Sequence, residues 1–155
     1  MMSSQTAEVC CTIESRIENI DMVQFLGEKL GQFFGLGDDD CSRVGTALRE
    51  ALNNAVAHGN GMDPRKKVRV AFQVRGQELR ITVKDEGPGF ASDKIPDPRD
   101  PKNLLKTSGR GIFSITKLMD GVDLSHTSSK GGEIRMYKQL PPARRENAFQ
   151  ESGKK

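Results

Sequence analysis

The chain is short of cysteine, of long apolar runs and of a dominant sign of charge, and each shortage removes a class of protein. Its three cysteines, Cys10, Cys11 and Cys41, form no CxxC spacing and leave one unpaired in any bridge. That usage suits a reducing compartment better than secretion, and buried or inert thiols are expected rather than redox chemistry. The N-terminus "MMSSQTAEVCCTIE" lacks a basic start followed by an apolar core, and no stretch is long enough to span a bilayer. A soluble cytoplasmic protein without membrane contact is the expectation. The formal charge is +3 with 29% charged residues, so the dense Lys/Arg field of a dedicated nucleic-acid binder is missing and no direct nucleic-acid contact is expected. At 155 residues there is room for one domain, and 35% hydrophobic residues suffice for one ordinary core.

What the chain does contain is a change of period along its length. "EVCCTI" (8–13) is short and β-prone, and Ile17, Ile20, Val23, Leu26, Leu30 and Phe33 then recur at helical spacing. "GLGDDD" breaks that helix and supplies acidic caps for a second, expected from about Cys41 to His58, which "GNGMDP" ends. From Val68 the period becomes two, through Val70, Phe72 and Val74, and it resumes after Gly76 and Gln77 as Leu79, Ile81 and Val83. A two-residue loop opening with glycine predicts an antiparallel hairpin. Residues 91–107, "ASDKIPDPRDPKNLLKT", hold three prolines and mixed charge and read as an irregular, lid-like segment. "SGRGIFSITKLMD" starts a third helix, followed by two short strands near Val122–Ser125 and Ile134–Lys138 and by a polar tail expected to be disordered. The sum is an α+β fold, a two-layer α/β sandwich with a mostly antiparallel sheet and helices on one face.

Three stretches carry candidate chemistry. On a wheel of about 100° per residue, Glu50, Asn54 and His58, each four apart, run along one border of the second helix's buried face. Ala47 and Ala51 beside them leave space, so the border can floor a cleft, although a helix edge is also an ordinary place for polar groups. In "ELRITVKDEGPGF" the parity of Leu79, Ile81 and Val83 carries Asp85 inward, where a carboxylate costs several kcal/mol unless it accepts good hydrogen bonds. A backbone amide can satisfy it, but "GPG" follows at once and lets a ligand approach the chain. In "SGRGIF", Gly109 and Gly111 open a helix whose free amides and positive end suit phosphates.

That order of motifs resembles the GHKL ATPase superfamily, over roughly residues 8–140, with 1–7 and 141–155 left as tails. Glu50, Asn54 and His58 match its N box; Asp85, Gly87 and Gly89 match its first glycine box; Gly109 and Gly111 match its second, with Ser108, Arg110 and Ile112 beside them as further cofactor-binding candidates. Within the superfamily the chain is most similar to bacterial anti-sigma factors that are also serine-protein kinases, on its compact length, the His-Gly end of the N box, "PDPRDPKNLL" and "SGRGIFSITKLMD". It departs from them where Gly132-Glu133 stand in place of a frequent Gly-Thr. The resemblance implies ATP and Mg²⁺ as cofactors. Asp85 would accept from the adenine amino group, Asn54 would ligate Mg²⁺, amides near Gly109 and Gly111 would hold phosphates, and Glu50 would act as general base. His58 either touches the ligand or only caps the helix, and Arg110 either steadies phosphate charge or is solvated. The implied partners are a sigma factor, an anti-sigma-factor antagonist of the STAS type carrying the target serine, and a second copy in a homodimer. Two other functions share the pocket: an ATP-gated anti-sigma binding module without kinase activity, which has no need of Glu50, and a detached histidine-kinase-like ATPase domain. The latter requires a phosphoacceptor helix, yet the only histidines are His58 and His126.

Overall fold

The computed structural model describes residues 7–87, 107–127 and 131–142, the side chains of 107–110 and 126–127 excepted. The expected lid falls outside the described residues except for Thr107, as do Gly89 and most of both tails.

The period-two stretches form strands. Strand β1 is Ala7–Glu14, β2 is Lys67–Arg75, β3 is Glu78–Lys84, β4 is Gly121–Thr127 and β5 is Gly131–Gln139. All four pairings are antiparallel and the order across the sheet is β1-β2-β3-β5-β4. Gly76 has φ of +60° while Gln77 stays negative, the type II′ pattern whose twist matches the flanking strands. One face of the sheet is buried along its three central strands: Val68, Val70, Phe72 and Val74 of β2, Leu79, Ile81 and Val83 of β3, and Ile134 and Met136 of β5.

Helices α1 (Ile17–Phe33), α2 (Asp38–Asn53) and α3 (Thr107–Leu118) form the second layer. Helix α1 ends where the Leu36 amide turns back onto the Gly31 carbonyl at 2.9 Å. Helix α2 begins three residues before Cys41, because Asp38, Asp39 and Asp40 make up its first turn, where negative charge meets the helix's positive end. Val44, Leu48 and Leu52 are completely buried against the sheet, each stabilising the fold by about 1.5–3 kcal/mol relative to exposure. Beyond Asn53 the chain stays helical but widens into a π-turn over Asn54–Gly59, closed by the Asn60 amide on the Ala55 carbonyl at 2.8 Å.

The cysteines are placed as inert thiols. Cys41 is buried with its Sγ 3.5 Å from the Leu36 carbonyl, and burial pushes its thiol up, as it does that of Cys11. Cys10 is exposed, but donating to the Glu8 carboxylate at 2.9 Å raises it as well. Among the described residues no helix is long and apolar enough to cross a membrane.

Candidate functional site

Asp85 sits immediately after β3 and points into the layer between sheet and helices, as strand parity predicts; it is 6% exposed. Its backbone amide donates to the Gly132 carbonyl at 3.0 Å, and its Oδ1 accepts from the amides of Gly132 and Gly87, each at 2.9 Å. Those bonds hold the carboxylate at one oxygen. Oδ2 receives no hydrogen bond among the described residues and lies against Gly59 at the end of the π-turn. A Cβ on Gly59 would collide with this carboxylate, and one on Gly87 would collide with the Gly59 carbonyl. Gly131, at φ +90°, packs equally closely on the Asp85 carbonyl, where a side chain has neither room nor an allowed backbone.

The substitution at Gly132-Glu133 acquires a definite meaning from β5's alternation. Gly132 is the inward residue that donates to Asp85, whereas Glu133 lies on the open face of the sheet, accepting from Ser125 Oγ at 2.8 Å and pairing with Arg135 at 3.1 Å. The residue that departs from the frequent Gly-Thr, Glu133, therefore points away from the site, and Gly132 keeps its bond to Asp85.

The helix border divides into three environments. Glu50 is half-buried, Asn54 is 8% exposed and His58 is exposed. The wheel that aligned them assumes one uniform helix; the π-turn starts at Asn54 and changes the angle per residue just where His58 is placed. Ala47 and Ala51, expected to leave room, are fully buried within the core. Space is found further along. A Cβ added to Gly111 of α3 would lie 3.2 Å from Glu50 Oε2, 3.3 Å from Asn54 Nδ2 and 3.5 Å from Asn54 Oδ1. A Cβ there would press on both polar side chains, and glycine lets α3 approach them without displacing either. The Asn54 Nδ2 is buried with no partner among the described residues. Gly109 belongs to the first turn of α3, whose amides lack intrahelical acceptors, while Gly111 comes after that turn and contributes close approach instead. Ile112 is buried beneath it. The side chains of Ser108 and Arg110 lie outside those described.

Sequence reasoning missed Asn60. It is 2% exposed, its Nδ2 donates to Ser15 Oγ at 2.8 Å and to the Lys67 carbonyl at 3.0 Å, and its Oδ1 accepts from the Glu86 amide at 2.8 Å. The Glu86 carboxylate in turn accepts from the Lys67 amide. One side chain thus ties the π-turn, the end of β1, the start of β2 and the loop carrying Asp85. The signal available was weak: an asparagine between two glycines reads as turn chemistry.

Among the described residues no group of three His, Cys, Asp or Glu side chains is arranged to hold a metal. The arrangement instead offers a fixed carboxylate oxygen at one end, an unpartnered amide beside a second carboxylate, and the start of a helix.

Comparisons with known proteins identify the fold and the family. Residues 13–138 match the model of the histidine kinase-like ATPase domain. The anti-sigma F factor of Oceanobacillus iheyensis is 33% identical over 106 residues, covering 66% of this chain and 71% of that protein. Among solved structures, the RsbU and RsbW domains of Rv1364c from Mycobacterium tuberculosis superpose with a TM-score of 0.64 at 18% identity, over 86% of this chain and 32% of that one. Full-length ShkA in complex with AMPPNP gives 0.54 at 20% identity, over 92% of this chain and 34% of that one. This chain thus spans about a third of each of those longer chains, and at such identities they speak for the fold alone. The family match covers most of the sequence, and the chain belongs to the histidine kinase-like ATPase domain family, the GHKL ATPases.

Proposed function

We propose that the chain is an ATP-dependent serine kinase and anti-sigma factor, whose substrate is a serine on an antagonist protein of the STAS type. The observation that carries this reading is the amide nitrogen of Asn54, buried beside Glu50 and Gly111 with no partner among the described residues. A buried polar group without a partner costs about 1–3 kcal/mol, and nothing in the fold itself calls for it. A ligand that brings a cation for the amide oxygen and anionic oxygens for its nitrogen relieves that cost. ATP with Mg²⁺ is such a ligand, since Mg²⁺ keeps several waters and takes few protein oxygens beside phosphates.

In this reading Asp85 Oδ2 accepts from the adenine amino group, the carboxylate being held by Gly87 and Gly132 through its other oxygen. Asn54 supplies an oxygen to Mg²⁺, and the first turn of α3, with Gly109, faces the phosphates. Glu50, half-buried beside Asn54, takes the proton of the attacking serine hydroxyl while the bond from that oxygen to phosphorus forms and ADP leaves. His58 is exposed on the π-turn, which favours a role at the rim over direct contact. The names of the relatives support a sigma factor as partner, and a homodimer in the cytoplasm fits the same reading.

Nucleotide binding and transfer are separated by two variants. Glu50→Ala should keep ATP affinity nearly intact while phosphate transfer to a candidate antagonist falls by roughly 10²-fold or more, the usual share of a positioned base. Asp85→Asn should lose affinity first, because an amide can present a donor to the adenine amino group. If wild type binds ATP and partner yet transfers nothing, and Glu50→Ala matches it in every assay, the protein is a nucleotide-gated anti-sigma module.

A further inference from the structure

The face of the sheet turned away from the helices carries a second concave site. Ala71 of β2 and Thr82 of β3 are paired neighbours, and their short side chains form the floor of a groove of about 370 Å³. Around that floor stand Arg69, Arg75, Arg80, Lys84 and Arg135, against a single lining carboxylate, Glu133.

Two features set this groove apart from an ordinary solvated sheet face. Arg69 and Lys84 are direct cross-strand partners. Like charges placed opposite one another destabilise a sheet; Lys84 is offset by Glu133, its partner on β5, and Arg69, which faces Thr12 on β1, is left without a cross-strand carboxylate. The second feature is Arg80, whose Nε is buried without an acceptor among the described residues. Its guanidinium rests 5.1 Å above the Tyr137 ring and 3.6 Å from Glu78. Glu133 pairs with Arg135 and lies opposite Lys84, so it offsets part of the charge, but it is one lining carboxylate against five cations. Among the described residues no carboxylate lies within ion-pair distance of Arg69, Arg75 or Lys84.

We infer that this groove is a docking site for a short acidic segment of a partner protein, separate from the nucleotide layer and open while that layer is occupied. Charge complementarity selects the occupant. A second copy presenting the same face brings the same five cations and is repelled. A long nucleic-acid strand meets acidic residues on either side of the groove: Glu8 and Glu14 on β1, Glu78 at the hairpin and Asp123 on β4. Among the described residues it also finds no free stacking platform on this face, because Tyr137 is covered by Arg80. Three or four carboxylates on an extended peptide match the size and charge of the groove without crossing that rim.

The test uses the full chain and a fluorescent peptide of alternating Glu and Ser, titrated at about 0.15 M salt so that loose long-range attraction is screened. Wild type should bind it, with amide shifts at Ala71, Thr82 and Lys84 and none at Asp85 or Gly87. Arg69→Gln/Lys84→Gln should weaken binding by about tenfold or more while the variant stays folded, with an unchanged far-ultraviolet spectrum. Arg43→Gln/Lys29→Gln, which removes the same charge from the helical layer, should bind as wild type does. The inference is overturned if wild type fails to bind the peptide, if both double variants weaken it equally, or if inorganic phosphate or a single-stranded oligonucleotide competes at lower concentration than the peptide. It is equally overturned if the groove variant changes the sedimentation mass, which would make the face a contact between copies. Loss of ATP binding plays no part in these outcomes, so this site and the nucleotide site fail independently.

Discussion

An alanine at position 59 tests the claim that Asp85 is fixed by backbone rather than merely near it. The new Cβ would fall on the Asp85 carboxylate, and the carboxylate is a short group held by the amides of Gly87 and Gly132 at 2.9 Å. It cannot swing away as the end of a long side chain can. Retreat forfeits two hydrogen bonds to a charged acceptor, each about 1.5–3 kcal/mol, while replacing glycine in a helical turn returns about 1 kcal/mol. The net expectation is a loss of about 2–5 kcal/mol. Urea denaturation should show the midpoint falling with the slope unchanged, and ATP binding by calorimetry should weaken in parallel because the acceptor for the base has moved. Gly37→Ala is the control: nothing lies within 4 Å of its Cβ, and it should stay within about 1 kcal/mol of wild type. If Gly59→Ala is within about 0.5 kcal/mol of wild type and binds ATP equally well, the carboxylate is free to move and the picture of a fixed acceptor fails.

Two further outcomes follow from the same geometry. Asn60→Ala leaves the Glu86 amide and Ser15 Oγ without their partner in a 2% exposed pocket and should cost about 3–5 kcal/mol by denaturation, whereas a loss under about 1 kcal/mol would mean that the four segments do not depend on it. Because the Glu8 hydrogen bond raises the Cys10 thiol, less of it is thiolate near neutrality, and iodoacetamide should alkylate it more slowly than a free cysteine peptide. The gap should close as the pH climbs past the raised value, and a faster reaction near pH 7 would contradict the contact.

Strand parity located Asp85 correctly because β3 is regular from Glu78 to Lys84 and a period of two leaves no freedom in the next residue. The helix border was less faithful. Spacing rules presume 3.6 residues per turn, so they carried Glu50 and Asn54 but failed at His58, beyond the start of the π-turn. Ala47 and Ala51 raise a different point: a small side chain in sequence looks the same whether it borders empty space or a packed core, and here both are fully buried. Asn60 escaped because its partners, Ser15, Lys67 and Glu86, come from segments that only the folded sheet brings together. Gly111 was read for its free amide, but its contribution is the missing Cβ, a distance that no motif records.

The strand order has a consequence in time as well as in space. β5 lies between β3 and β4, so the edge of β3 that carries Asp85 stays unpaired until the last strand has been made. While the chain is still emerging from the ribosome, Asp85 has been synthesised but the Gly132 amide that fixes it has not. Until β5 arrives, the acceptor lacks its orientation and the β3 edge is a template for the wrong strand. Ribosome-bound chains ending before Gly131 should accordingly be open to protease along β3 and indifferent to ATP, and both properties should change together once residue 140 has cleared the exit tunnel.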